Sequence, residues 1–249
     1  MQMKKIKNIL NRIGDFTKVK ETFDTLYQVE VYSNRLKWLI SLVKELKIDY
    51  FVDVYGDEKD EVVRNLCLKG KSDKMVIAHY DIANLDSDNA NDNSASVLNA
   101  IALKVLNPEV NVVLADAEEV GCEGAKQLAR NISRIDSPFK DIKWILNLEL
   151  TGLGDKVMVS NYSNKELYKK ITQNFDVTTN KIIGLNDSLY LNKKGIDSEI
   201  VSICPSVGGE IDYTHFENCH KLKDNIDTIK ISDMERFVLN FLLPITLNN

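Results

Sequence analysis

Apolar and polar positions along the chain alternate between a helical and a strand period. From Ser33, the segment SNRLKWLISLVKELKI repeats apolar residues at Leu36, Leu39, Ile40, Val43 and Leu46. That is the spacing of one helix face, and Ser33 is placed to cap its first turn. DYFVDVYG and VVRNLCLKG read as strands around the turn GDEKDE, and KMVIAH as a short apolar strand. SASVLNAIALKVL is a helix apolar on most sides, hence buried. VNVVLAD, KWILNLEL, KVMVS and SEIVSI continue as strands. CEGAKQLARNI, NKELYKKITQNF, DSLYLNKKG and SDMERFVLNFLL are the intervening and closing helices. Strands alternating with helices predict an α/β fold, a three-layer α/β/α sandwich with a central mixed, largely parallel sheet.

Composition narrows the function classes. The 249 residues carry a formal charge of -5, with 44% hydrophobic and 28% charged residues, an ordinary globular mixture. The acidic balance argues against a nucleic-acid partner, which needs clustered Lys and Arg. Lys4, Lys5 and Lys7 read as a solvated helix face. No stretch approaches the roughly 20 apolar residues that span a bilayer. The start, MQMKKIKNILNRIGDF, lacks the apolar core and cleavage site of a signal peptide. A soluble, cytoplasmic protein with no membrane partner is expected. Cys67, Cys122, Cys204 and Cys219 form no C-x-x-C pair, so free, mostly buried thiols are expected.

Ligands of open α/β sheets bind beyond the carboxyl ends of the strands. Three apolar strands end there in groups able to hold a metal: MVIAHYD in His79 and Asp81, VVLADAEE in Glu118 and Glu119, and WILNLEL in Glu149. Asp92 in NANDNSAS and His220 in CHKLKDNID are further candidates. Singly, each has a plainer role: a core histidine, a helix cap, charges at a helix start, a salt bridge or a loop histidine. Together, carboxylates meeting at one edge are costly unless a cation pairs them, and the three strand-end segments offer no Lys or Arg. A divalent cation resolves the repulsion. Zinc accepts imidazole nitrogen and carboxylate oxygen, and a bridging carboxylate makes a two-metal hydrolytic site. Manganese and cobalt are alternatives. The single-zinc H-E-x-x-H pattern is absent.

In this order the motifs HYD, NANDNSAS, AEEVGCEGA, LNLELTG and CHKLKDNIDTI resemble the zinc-dependent exopeptidases related to bacterial leucyl aminopeptidase, glutamate carboxypeptidase and glutaminyl cyclase. The resemblance spans about residues 34–247 and implies one catalytic domain over 1–249, with residues 1–48 its mainly helical N-terminal part. It implies that His79, Asp92 and Glu149 hold one metal, and that Asp92, Glu119 and His220 hold a second, with Asp92 bridging. Asp81 would orient His79. Glu118 would be the general base that moves a proton from water to the leaving amine. One or two zinc ions, a peptide or small amide substrate and aminopeptidase activity follow as expectations. The alternatives are a related amide-bond enzyme (carboxypeptidase, amidohydrolase or glutaminyl cyclase-like) and a non-catalytic binding protein that keeps the fold.

The chain also departs from that family's pattern. Asn89 and Ser96 stand where glycines flank the Asp-Asn segment. Glu149 stands where aspartate is common in the dinuclear aminopeptidases, and a longer arm there would shift or weaken one metal position. In NDSLYLNKKGI, Asp187 matches, but Ser188 replaces a histidine that tends to lie near substrate. Tyr213 and His215 lie just upstream of His220 as alternative oxyanion donors or as plain loop residues.

Overall fold

The computed structural model describes residues 2–20, 32–56, 62–160, 165–180, 186–214 and 216–247. Three helices lead: α1 (Gln2–Leu10), α2 (Ile13–Phe16) and α3 (Asn34–Glu45). Ser33 Oγ accepts the Leu36 N–H at 3.2 Å and caps α3 as its position in the sequence anticipates. The buried face of α3 carries Leu36, Leu39, Leu42 and Val43, and with them a fully buried Arg35 that helical spacing alone does not explain. The turn expected at GDEKDE falls largely on residues 57–61, outside the described residues.

The strands β1 (Phe51–Tyr55), β2 (Val63–Leu68), β3 (Lys74–His79), β4 (Asn111–Ala115), β5 (Trp144–Leu148), β6 (Lys156–Ser160), β7 (Val177–Asn180) and β8 (Asp197–Cys204) form one sheet. Its order is β1-β2-β4-β3-β5-β8-β6-β7. The centre is parallel: β3 lies between β4 and β5, with His79 opposite Ala115 and Ile77 opposite Asn147, and β8 runs parallel to β5. The pairs β1·β2, β2·β4 and β6·β8 are antiparallel, so the sheet is mixed. The strand β7 and a two-residue hairpin, β9 (Ser206–Val207) with β10 (Glu210–Ile211), lie beyond what the apolar pattern foretold. Both are short, with strands of four residues or fewer, so they carry little alternation to read.

Alternation along the central strands builds the layers. Val76, Ala78, Val112, Leu114, Leu146 and Leu148 join one core with α1, α2, α3, α4 (Ala95–Leu106), α6 (Glu166–Asn174) and α8 (Ile231–Phe237). Met75, Ile77, Val113, Ala115 and Ile145 face a second core, with α5 (Glu123–Ile132) and Leu191 of α7 (Asp187–Lys193). Strand side chains alternate between faces, so both faces of the sheet are covered and the three-layer α/β/α expectation is met. The first ten residues of α4, Ala95–Lys104, are all buried, as its apolar sequence requires. After α8 the chain continues helically through 238–242 into α9 (Leu243–Leu247). Cys67, Cys122 and Cys204 are buried, Cys219 is half-buried, and all four are free thiols. No helix among the described residues is long and apolar enough to cross a membrane.

Candidate metal centre

The parallel register of β3, β4 and β5 delivers their carboxyl ends to one edge, and the residues just beyond them converge there. His79 closes β3, Glu118 and Glu119 follow β4, and Glu149 follows β5. Asp92 comes from the stretch Ala90–Ser94 that leads into α4, and His220 from a loop near the C-terminus. His79 Nε2 lies 3.3 Å from Asp92 Oδ1 and 3.4 Å from Glu149 Oε2. His220 Nε2 lies 3.2 Å from Asp92 Oδ2 and 3.1 Å from Glu119 Oε2. Two trios therefore share Asp92, one through each carboxylate oxygen.

The spacing suits a metal. With ligand distances of about 2.0–2.1 Å, neighbouring vertices of a tetrahedron lie about 3.3–3.4 Å apart. The four histidine–carboxylate distances run from 3.1 to 3.4 Å. The donors are two imidazole nitrogens and three carboxylates, the mixture that zinc accepts. Glu119 Oε1 is buried without a hydrogen-bond partner. The residues present fit a divalent ion in either trio.

Neighbouring groups hold several of these residues in place. Asp81 Oδ1 faces His79 Nδ1 at 3.3 Å, and Asp81 Oδ2 accepts the Glu119 N–H at 3.0 Å. Asp81 thus links His79 to the backbone of the glutamate pair. Asn93 Nδ2 donates to Glu149 Oε2 at 2.9 Å, and Asn147 Nδ2 donates to Glu149 Oε1 at 3.1 Å. These bonds hold the longer glutamate arm, and Glu149 Oε2 remains within the 3.4 Å reach of His79. Asp224 accepts the N–H groups of Asn91 and Asp92, and Asn91 Oδ1 accepts the Gly152 N–H at 2.7 Å. The Asp92 loop is thereby tied to both the Glu149 and the His220 segments.

The connecting backbone is unusual. Asn89, Ala117, Cys122, Leu150 and His220 all have positive φ, between 47° and 60°. Such non-glycine residues cluster where function fixes a loop. Each lies within three residues of a carboxylate of this cluster or is itself a member. Gly124 lets α5 approach closely, since a Cβ there would meet the Asp116 carbonyl oxygen at 2.4 Å. Asp116 itself turns away from the cleft, accepting the Arg64 N–H at 2.9 Å.

Electrostatics separates the adjacent glutamates. Burial lifts Glu118 to about 9, with His79 opposing the rise and Glu149, Asp187 and Glu119 adding to it. Burial lifts Glu119 to about 7, partly offset by His79 and His220. Burial also lifts Asp187 to about 8, and this fully buried carboxyl lies close to Glu118 and Cys122. For Asp92, burial is outweighed by the hydrogen bonds from His220 and His79, which hold it well below the usual carboxylate range. His79 is held well above its ordinary value: burial pulls it down, but Glu149 and the hydrogen bonds to Asp81, Asp92 and Glu149 prevail. The hydrogen bond to Asp92 carries His220 to about 9. One acid of the adjacent pair, Glu119, meets His220, while Glu118 has Cys122 Sγ 3.7 Å from its Oε1.

These groups open into a cleft of about 500 Å³ whose apolar lining includes Leu150, Ile200 and Phe216. Asn186 lines it, but Ser188 does not. Ser188 is buried with its Oγ 2.9 Å from Ser198 Oγ, so the residue in the histidine's place faces the protein interior. Tyr213 is exposed and stacks on Phe216, and His215 lies outside the described residues. Asp224 and Asn147 also serve the site, though the sequence alone does not single them out. Asp224 acts on backbone N–H groups more than 130 residues away, which leaves no local pattern, whereas Asn147 bonds to the Glu149 side chain two residues on.

Comparison with known proteins identifies the family and the fold. The peptidase family M28 model matches residues 65–243. The Legionella pneumophila LapA aminopeptidase aligns with a TM-score of 0.72 at 16% identity, over 99% of this chain and 71% of that one. Porphyromonas gingivalis glutaminyl cyclase aligns with a TM-score of 0.69 at 12% identity, over 98% and 96%. The zinc aminopeptidase BSAP from Bacillus subtilis aligns with a TM-score of 0.59 at 19% identity, over 75% of this chain and 50% of that one. No curated protein sequence matches the chain. With a family model that covers most of its length and the same fold in these solved structures, the chain belongs to peptidase family M28.

Proposed function

We propose that the chain is a metal-dependent aminopeptidase that hydrolyses the first peptide bond of short peptides. The observation that carries this reading is the pair of histidine–carboxylate trios joined through the two oxygens of Asp92. His79, Asp92 and Glu149 would hold one ion, and Asp92, Glu119 and His220 a second, with zinc as the resident metal. When bound, the ions lower the pKa of water and polarise the scissile carbonyl. Asp81 keeps the His79 ring oriented through Nδ1, the arrangement that fixes a ligating imidazole. Glu118 takes the proton of the attacking water on its carboxylate and returns it to the leaving amine. Burial raises its affinity for a proton, and cations held beside it would lower that affinity and free the carboxylate to act as the base.

The choice of chain end rests on charge. Among the described residues, the cleft lining has four carboxylates and no Lys or Arg. The lining thus offers a free α-carboxylate no Lys or Arg to pair with, which argues against reading the carboxyl end. The four free thiols accord with a reducing, cytoplasmic setting.

The test is a screen of aminoacyl and peptidyl substrates with zinc, manganese and cobalt in turn, read by mass spectrometry. Stepwise loss of N-terminal residues, abolished by blocking the amino group, is expected. Trimming from the carboxyl end, or loss of ammonia with the peptide bond intact, would replace this reading with a carboxypeptidase or a cyclase. Purified protein that takes up no divalent ion would remove the enzyme reading altogether.

A further inference from the structure

Arg35 lies outside every segment that contributes to the cluster, yet it is fully buried. It sits in the first turn of α3, where a leucine or methionine would fill the same space with no charge to desolvate. A buried guanidinium is costly unless its donors are used. Its Nε donates to the Tyr80 carbonyl at 2.6 Å, and Tyr80 is the residue between His79 and Asp81. Its Nη2 donates to Ser94 Oγ at 2.9 Å, two residues after Asp92. Ser94 Oγ in turn donates to the Asn89 carbonyl at 2.7 Å and closes the Asp92 loop on itself. The guanidinium lies over the Phe16 ring, 3.9 Å from its centroid, and Phe16 stacks on Trp38. A packed aromatic therefore fixes the plane of the fork.

We propose that Arg35 is a positioning residue of the metal centre: its guanidinium brackets the loop that carries His79 and the loop that carries Asp92. The inference rests on the metalloenzyme reading above. His79 and Asp92 arrive from different elements, and their ligating atoms stand 3.3 Å apart. Arg35 touches neither ligand atom. It bonds to the backbone one residue after His79 and to a side chain two residues after Asp92, so a rigid planar fork sets the distance between the loops. The N-terminal helices, which supply no ligand, thereby take part in the site.

The test is zinc affinity, measured by chelator competition on the metal-free full chain, for wild type, Arg35→Met and Ser94→Ala. Wild-type protein that binds no zinc would overturn the metalloenzyme reading, and this inference with it. If wild type binds, Arg35→Met is expected to weaken zinc about 10–100-fold, the range for groups that orient metal ligands. Ser94→Ala should show a smaller loss in the same direction. A purely structural Arg35 would lower the unfolding midpoint and leave the zinc affinity of the folded fraction unchanged; that result overturns the proposal. Should Arg35→Met not fold, Ser94→Ala decides: weaker zinc binding upholds the bracket, and wild-type affinity overturns it.

Discussion

The Asp224 carboxylate grips the backbone of Asp92, accepting its N–H at 3.0 Å on one oxygen while the other accepts the Asn91 N–H at 2.7 Å. Asp224 is buried and lies four residues beyond His220, so one side chain couples the loop of the shared carboxylate to the loop of a histidine. Burial raises its pKa to about 6, while the two backbone N–H groups work to keep it ionised.

Replacing Asp224 by asparagine keeps the shape but presents an NH₂ to one of those N–H groups. The metal concentration needed for half-maximal activity is therefore expected to rise by about 10–100-fold. Titrating metal-free Asp224→Asn with zinc measures it. A titration curve that overlays wild type would show that the Asp92 loop holds its place without this contact.

The adjacent glutamates should respond differently. Glu118→Gln removes a proton acceptor and leaves the two trios intact, so kcat should fall by about 10²–10⁴-fold at unchanged metal content. Glu119→Ala removes a carboxylate 3.1 Å from His220 Nε2, so metal content itself should drop. Elemental analysis beside steady-state kinetics separates the two. Near-normal turnover in Glu118→Gln, or full metal content in Glu119→Ala, contradicts the assigned division.

Much of this arrangement was legible in the chain because it is written locally. Apolar runs such as KMVIAH and VNVVLAD are buried strands, and their ends are by construction at the sheet edge. His79, Glu118, Glu119 and Glu149 come together because parallel neighbours share that edge, and Asp92 and His220 join them from loops. Arg35 and Asp224 were hidden for the opposite reason: each acts on a segment more than 40 residues away, and nothing in its own surroundings marks the partner. Ser188 shows a further limit. Its position suggested contact with substrate, but the first turn of α7 points its hydroxyl toward Ser198 in β8.

Asn89 replaces a glycine of the family pattern and keeps what that glycine would supply. Its φ of 47° and ψ of 45° are left-handed, a region that asparagine tolerates better than other non-glycine residues. Its Nδ2 adds hydrogen bonds to the Asn84 and Ser87 carbonyls at 2.7 and 2.9 Å. Asn89→Gly therefore loses only the side-chain bonds, about 1–2 kcal/mol. Asn89→Ala loses those and strains the backbone by about 1 kcal/mol more. Urea unfolding of both variants measures the gap, and equal destabilisation would remove the backbone argument.

Lys104 offers a test of the fold away from the cleft. Its Nζ donates to the carbonyls of Lys69, Pro108 and Val110 at 2.8, 2.6 and 2.8 Å, fastening α4 to the turns that enter β3 and β4. Lys104→Met keeps the stem and leaves three carbonyls without this donor, a loss of about 1–3 kcal/mol with the activity of the folded protein unchanged. Burial lowers the Lys104 pKa to about 8, against 10.5 as its ordinary value, with Glu109 and Asp49 opposing. Below pH 8 both folded and unfolded chains hold the proton and the burial penalty is fully present. Between pH 8 and 10.5 the unfolded chain alone retains it, so this group's contribution to folding becomes more favourable as the pH rises. The stability gap between wild type and Lys104→Met should therefore widen from pH 8 to pH 10 in urea titrations. A gap that stays flat or narrows would mean that the three carbonyls hold the ammonium charged against its burial.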